Sequence, residues 1–306
     1  MNKALVSSTI AALLCTAVSV ASAQQAFKTP DEAAAALVSA AKASDMKALA
    51  TVLGPDGEDI ISSGDAVADA ATRQKFVAAY DAKHQITLEG DNKAVMVIGP
   101  DDFPLPIPLT RKDAMWRFDT AAGRDEILAR RIGKNELDAI QASLAYVDAQ
   151  NEYAEKDRTG VGVKTYAQRI ISQPGKKDGL YWPAAQGEDA SPLGELVAQA
   201  TTQGYRVGGG RTPFHGYYFK ILTGQGPDAP GGEQDYVVRG KMIGGFGLVA
   251  YPAEYGNSGV MTFIVNHKGT VFEKDLGPGT AKRAERMTEF NPDKSWKQVS
   301  DTTPVK

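Results

Sequence analysis

The chain has 306 residues, 42% hydrophobic and 23% charged, enough to bury one good core and long enough for two at the usual domain size of about 100–150 residues. Disorder and a collagen-like chain are excluded. Lys plus Arg total 34 and Asp plus Glu 37, a net charge of −3 with no dense basic block, which argues against nucleic acid as a partner.

Residues 1–23 carry Lys3, the apolar run Ala11-Ala12-Leu13-Leu14-Cys15-Thr16-Ala17-Val18 and the closing triplet Ala21-Ser22-Ala23. This order predicts a secretory signal peptide cut between Ala23 and Gln24, and hence a periplasmic or secreted protein. A membrane anchor is the alternative, but the run is shorter than the ~20 residues that span a bilayer. Lipid attachment at Cys15 is disfavoured because Leu14 precedes it where a small residue is wanted. Cys15 is the only cysteine and leaves with the signal. The exported chain then has no disulfide, no thiol chemistry and no cysteine-ligated metal, so packing alone must hold it. No membrane span is expected after cleavage.

In residues 24–120, Thr29-Pro30-Asp31-Glu32 reads as a helix start with Thr29 as N-cap and Glu32 closing a capping box. Ser44-Asp45 restarts the helix and Gly54-Pro55 stops it; a second helix is expected over about 66–81 with Val67, Ala70, Val77 and Tyr80 on one side. Then the period changes to two. Gln85–Leu88 and Ala94–Ile98 form a hairpin, and Met115–Phe118 a further strand. Pro104, Pro106 and Pro108 exclude a central strand between them. Helices followed by antiparallel strands ending in W-x-F-D look like a cystatin-like cone.

Residues 121–306 begin with an amphipathic helix expected over about 124–157, its stripe formed by Ile127, Leu128, Ile132, Leu137, Ile140, Leu144 and Val147, with a kink expected at Gly133. A short helix around Tyr166–Arg169 and one opened by Ser191-Pro192 and ending near Gly204 follow. Strands are read at Gly216–Leu222, Gly245–Tyr251, Val260–Asn266 and Thr270–Lys274, with Gln225–Gly232 a Gly/Pro-rich loop. A long helix packed on a four-stranded antiparallel meander resembles a pilin head, though without the apolar N-terminal span of a true pilin. The fold class is therefore α+β.

Several strings together resemble the bacterial exported family catalogued as domain of unknown function 2950. They are Phe27-x-Thr29-Pro30-Asp31-Glu32-Ala33-Ala34, Arg130-Arg131-Ile132-Gly133-x-Asn135-Glu136-Leu137, Ala145–Gln150, Asp178–Pro183, Phe214–Phe219 and Ala250–Gly256. The resemblance covers nearly the whole exported chain. It implies export and one common fold, and carries no catalytic residue, cofactor or metal with it.

No G-x-S-x-G, H-E-x-x-H or Walker sequence occurs. Of the three histidines, His84 follows a helix end and His267 falls in the turn Asn266–Gly269. His215 is the leading candidate: it ends the glycine-rich stretch Gly208–Gly216, with Arg211 as a possible anion clamp and Asp178 as a possible orienting carboxylate. Asp178, Tyr181 and Trp182 form an acidic and aromatic loop able to stack on a sugar or peptide, and Tyr217 extends an aromatic strand. Arg130, Arg131, Glu136 and Asp138 read as a surface ion-pair network on the long helix. Two functions remain: a non-catalytic binding or envelope-assembly module meeting an envelope protein or glycan through Tyr181, Trp182 and Tyr217, and an envelope hydrolase or other small-molecule enzyme centred on His215. No cofactor is implied.

Overall fold

The computed structural model describes residues 24–160, 162–185, 187–206 and 211–300; Ala23 of the expected cleavage site and Gly208–Gly210 of the glycine-rich stretch lie outside them. The first helix, α1 (Pro30–Ala43), starts where its cap predicts, with Thr29 Oγ1 accepting from the Glu32 amide at 3.1 Å. The Glu32 carboxylate bonds the amide of Lys28 at 3.0 Å, one residue upstream of the usual capping-box partner. Asp45 caps α2 (Met46–Leu53), which ends at Gly54, and a single 3₁₀ turn, Pro55–Gly57, leads into α3 (Glu58–Ile61). Asp65 caps α4 (Ala66–Ala82).

An antiparallel sheet follows: β1 (His84–Leu88), β2 (Lys93–Ile98), β3 (Phe103–Pro104), β4 (Leu109–Lys112) and β5 (Met115–Phe118), in the order β1-β2-β4-β5 with β3 also on β2. The prolines act as expected: the chain leaves the sheet between β3 and β4. Leu37 of α1 and Leu49 and Val52 of α2 pack with Met96, Leu109, Trp116 and Phe118 of the sheet. Helix α4 is different, because none of its 17 residues is fully buried.

The long helix α5 (Thr120–Ala154) spans 35 residues and starts at Asp119, whose carboxylate caps it. It runs through Gly133 without a break, and Leu137 of the expected stripe is exposed. After it come α6 (Gly194–Thr202), β6 (Tyr217–Leu222), β7 (Gly224–Gln225), β8 (Gln234–Asp235), β9 (Val237–Val238) and β10 (Lys241–Met242). The chain continues through β11 (Gly247–Pro252), β12 (Met261–Asn266), β13 (Val271–Asp275), α7 (Thr280–Arg286), β14 (Glu289–Phe290) and β15 (Lys297–Gln298). The expected meander is present as β6-β11-β12-β13, widened by β15 at its far edge. One face packs Leu248, Ala250, Phe263 and Val265 against Tyr146, Val147 and Tyr153 of α5. The other packs Val249, Tyr251 and Ile264 against Ala284 of α7 and Phe290. Burial on both faces explains why β11 reads as an apolar run rather than an alternation. The class is α+β, and no helix among the described residues is long and apolar enough to cross a membrane.

Three local expectations are corrected. Tyr166–Arg169 is irregular, because the Tyr166 amide bonds Met242 O at 2.8 Å and the Ala167 amide bonds the buried Gln150 Oε1 at 2.8 Å, tertiary partners that displace helical ones. Ser191-Pro192 forms a turn, with the Gly194 amide on Ser191 O at 2.8 Å, so α6 begins later than expected. The Gly/Pro-rich loop contributes Gln225 to a small ribbon, in which β7 pairs with β8 and, in parallel, with β14.

Candidate functional site

Asp65 lies 1% exposed where the two halves meet. Its Oδ1 accepts from the amides of Val67 and Ala68, capping α4, while its Oδ2 accepts from Tyr205 Oη at 2.8 Å and from the Gly216 amide at 2.9 Å. One carboxylate thus joins the first half to the entry of β6. Gly216 is required here: its φ is +75°, and a Cβ would fall 2.5 Å from Asn135 Nδ2. His215 before it also has positive φ, 51°. Its amide donates to Tyr205 Oη at 3.2 Å, its Nδ1 meets Asp138 Oδ2 at 2.5 Å and its Nε2 meets Gln203 Oε1 at 3.1 Å.

The expected ion-pair network on α5 is corrected in the same region. Arg130 and Asp138 make the expected i,i+4 ion pairs, with Glu126 and Lys134, but the other two members do not. Arg131 donates to the carbonyls of Asp59 and Ile60, at 2.6 and 2.7 Å, and to Asn257 Oδ1; Asn257 in turn donates to Ser62 O at 2.8 Å. Burial, the largest influence, lowers the Arg131 pKa from its ordinary value. Glu136 Oε1 receives the amides of Val260 and Met261, and Asn135 donates to Ser258 O at 2.9 Å. The string Arg130–Leu137 therefore ties α5, the 58–65 segment and the loop before β12 into one polar joint.

Burial alone would push the Asp138 carboxyl up, but hydrogen bonds from His215 and Lys134 outweigh it and hold the group below its ordinary value of 3.8. A carboxyl with a lowered folded pKa stabilises the fold above its unfolded pKa, and that contribution is lost as pH falls through the folded value. His215→Ala is expected to cost about 1–3 kcal/mol in urea unfolding at neutral pH. The gap between wild type and variant is expected to narrow as pH falls below 3.8, through the lowered folded value, and Asp138 takes a proton. A variant as stable as wild type at neutral pH would contradict the clamp.

The other candidates lie elsewhere. Asp178 is not among the partners of His215; it accepts from the Gln173 amide at 2.8 Å and faces Arg169 at 3.8 Å. Asp138, not singled out as a partner from the sequence, is the carboxylate that His215 meets. Arg211 is not poised as an anion clamp beside His215, since it pairs with Glu285 at 2.6 Å and stacks over Tyr218 at 4.6 Å. Tyr217 is 0% exposed, donates to Met261 O at 2.9 Å, and has a phenol pushed far up by burial and by Glu136. Trp182 is 4% exposed, with its indole N–H on Asp189 O, and Tyr181 is half-buried against the same core. The aromatic surface expected from these residues is therefore core, because both faces of the sheet and its flanking loop are covered. His84 stacks on Tyr80 with ring centres 3.8 Å apart. Burial, with Lys268 adding to it, lowers the pKa of His267. Among the described residues no group of three His, Cys, Asp or Glu side chains is placed to hold a metal ion.

What sequence reasoning missed is a cleft of about 420 Å³ in the first half, within the range of small-molecule sites. Its apolar walls include Leu37, Leu49, Ile61, Phe76, Ile107 and Ile127, and α4 forms one side. The cleft accounts for the incomplete burial of α4. The face that α4 turns to it, Asp69, Thr72, Arg73, Lys75, Phe76 and Ala79, carries polar residues and differs from the Val67, Ala70, Val77 and Tyr80 stripe legible in the sequence. The signal the sequence offered was slight: Phe76 stands three residues after Arg73 and Ala79 three after Phe76, and neither belongs to that stripe.

Fold and site together define an α+β protein in which a cored helical and sheet half, hollowed by an apolar cleft, is tied by buried polar bonds to a long helix on a meander. The chain belongs to the family described as Protein of unknown function (DUF2950), which matches residues 24–299. No curated protein and no solved structure matches it at a significant level.

Proposed function

We propose that this chain is an exported, non-catalytic binding module whose ligand enters the cleft beside α4. The observation that carries the reading is that cleft, apolar within and bounded by a helix that has no fully buried residue. Export is supported by the signal-like order of residues 1–23 and by the place of Gln24, whose side-chain amide donates to Val52 O, Leu53 O and Phe118 O at 3.2, 3.1 and 2.8 Å. Those bonds seat the residue after the expected cut against the first core. A hydrolase centred on His215 is the weaker reading, because both ring nitrogens are engaged by Asp138 and Gln203. Contact with an envelope protein or glycan through Trp182 and Tyr217 is weaker too, since both are buried.

The test is titration with N-phenyl-1-naphthylamine, a neutral dye that brightens in apolar surroundings. Wild type is expected to give a saturable rise, and Ala79→Phe, which fills the cleft from α4, to lose most of it with the melting temperature retained. No saturable rise, or one indifferent to Ala79→Phe, would overturn the reading.

A further inference from the structure

The charge around the cleft opposes that of the whole chain. Its lining holds Arg73, Lys75, Arg130 and Arg131 against the single carboxylate of Asp69, although the chain carries −3. Two of the cations are occupied: Arg130 by Glu126, and Arg131 by Asp59 O, Ile60 O and Asn257. Asp69 stands four residues before Arg73 on α4, the spacing of a helical ion pair. Ser63 occupies it instead, through its amide at 3.0 Å and its hydroxyl at 2.7 Å. The Arg73 Nε is buried and has no hydrogen-bond partner among the described residues. A buried donor without a partner is costly, and such a group commonly marks a place completed by a ligand, water or ion.

We infer that the cleft takes a single-chain apolar molecule ending in a carboxylate, its tail among Leu37, Leu49, Ile61, Phe76 and Ile107 and its head at Arg73. This rests on the binding-module reading and names the ligand class of the same cleft. The edge of a guanidinium presents parallel N–H groups that match the two oxygens of a carboxylate, whereas a lone ammonium or hydroxyl offers no such fit. Lys75 adds positive charge at the rim and, being exposed, is screened by salt more than the half-buried Arg73. A molecule with a cationic head would meet Arg73 and Lys75 as like charges.

The experiment is calorimetric titration of the full-length protein with decanoate, decanol and decylamine, which share one tail and differ in head charge. Decanoate is expected to bind about tenfold or more tighter than decanol, with decylamine weakest. Arg73→Met is expected to bring decanoate down to the decanol value and leave decanol unchanged. Raising the salt concentration in wild type should weaken decanoate and spare decanol, a readout that needs no variant to fold. Equal binding of decanoate and decanol, or a decanoate preference that survives Arg73→Met, would overturn the carboxylate assignment while leaving the cleft a binding site. Failure of all three to bind would overturn the binding-module reading itself.

Discussion

Asp65→Ala is expected to lower unfolding stability by about 3–5 kcal/mol, the largest effect of any single polar substitution in the joint. The carboxylate is 1% exposed and accepts four hydrogen bonds, from Val67, Ala68, Tyr205 and Gly216. Removing it strips the N-cap of α4 and leaves the Gly216 amide and the Tyr205 hydroxyl in a space from which water is excluded. Asp65→Asn should cost less, about 1–2 kcal/mol, because its carbonyl can still cap α4. Its amide end cannot accept from Gly216. Urea unfolding measures both, and a double-mutant cycle with Tyr205→Phe should show coupling above about 1 kcal/mol. Additive losses would mean that the Tyr205 hydroxyl is not coupled to Asp65, leaving the Gly216 amide to join the halves.

Substitution of two glycines in one helix is expected to move stability in opposite directions. Both Gly123 and Gly133 lie within α5, where alanine normally stabilises by up to about 1 kcal/mol. Gly133 has nothing within 4 Å of an added Cβ, so Gly133→Ala should follow that rule. Gly123 is buried against the chain between β3 and β4, where a Cβ would lie 2.5 Å from Pro106 O and 2.7 Å from Ile107 N. The obstacle is backbone, which has no rotamer to change, so Gly123→Ala should destabilise by about 1–3 kcal/mol despite its better helix propensity. Paired urea midpoints settle the sign. Two gains would show that the start of α5 does not press on residues 106–107, and that this wall of the cleft is looser than described.

The legible parts of the fold share one property: their causes lie within a few residues. Thr29 and Asp45 cap the helices that they precede, Ser44 and Gly54 end them, and the turn at Asn266–Gly269 joins β12 to β13. The Tyr166–Arg169 segment failed as a helix for the opposite reason, since its amides found partners at Gln150 and Met242. The candidate site was less legible. The glycine-rich neighbourhood marks His215, but the carboxylate at its ring is Asp138 rather than Asp178. Asp138 lies 77 positions away, and only the docking of α5 brings it to the ring.

Legible in the residues alone were the α+β class, the capped helices of the first half, the long helix and the strands of the meander, a chain of acidic net charge whose one cysteine lies within residues 1–23, and membership of its family through strings spread over nearly all of residues 24–299. Periodicity, caps and composition are local quantities, and they are written residue by residue. Tertiary structure alone decided that Trp182 and Tyr217 are core rather than surface, that Arg131 and Glu136 are ties rather than ion pairs, and that α4 leaves a cleft beneath it. Burial and the pairing of charges depend on which distant segments meet, and that is set by the packing of whole elements rather than by any one of them.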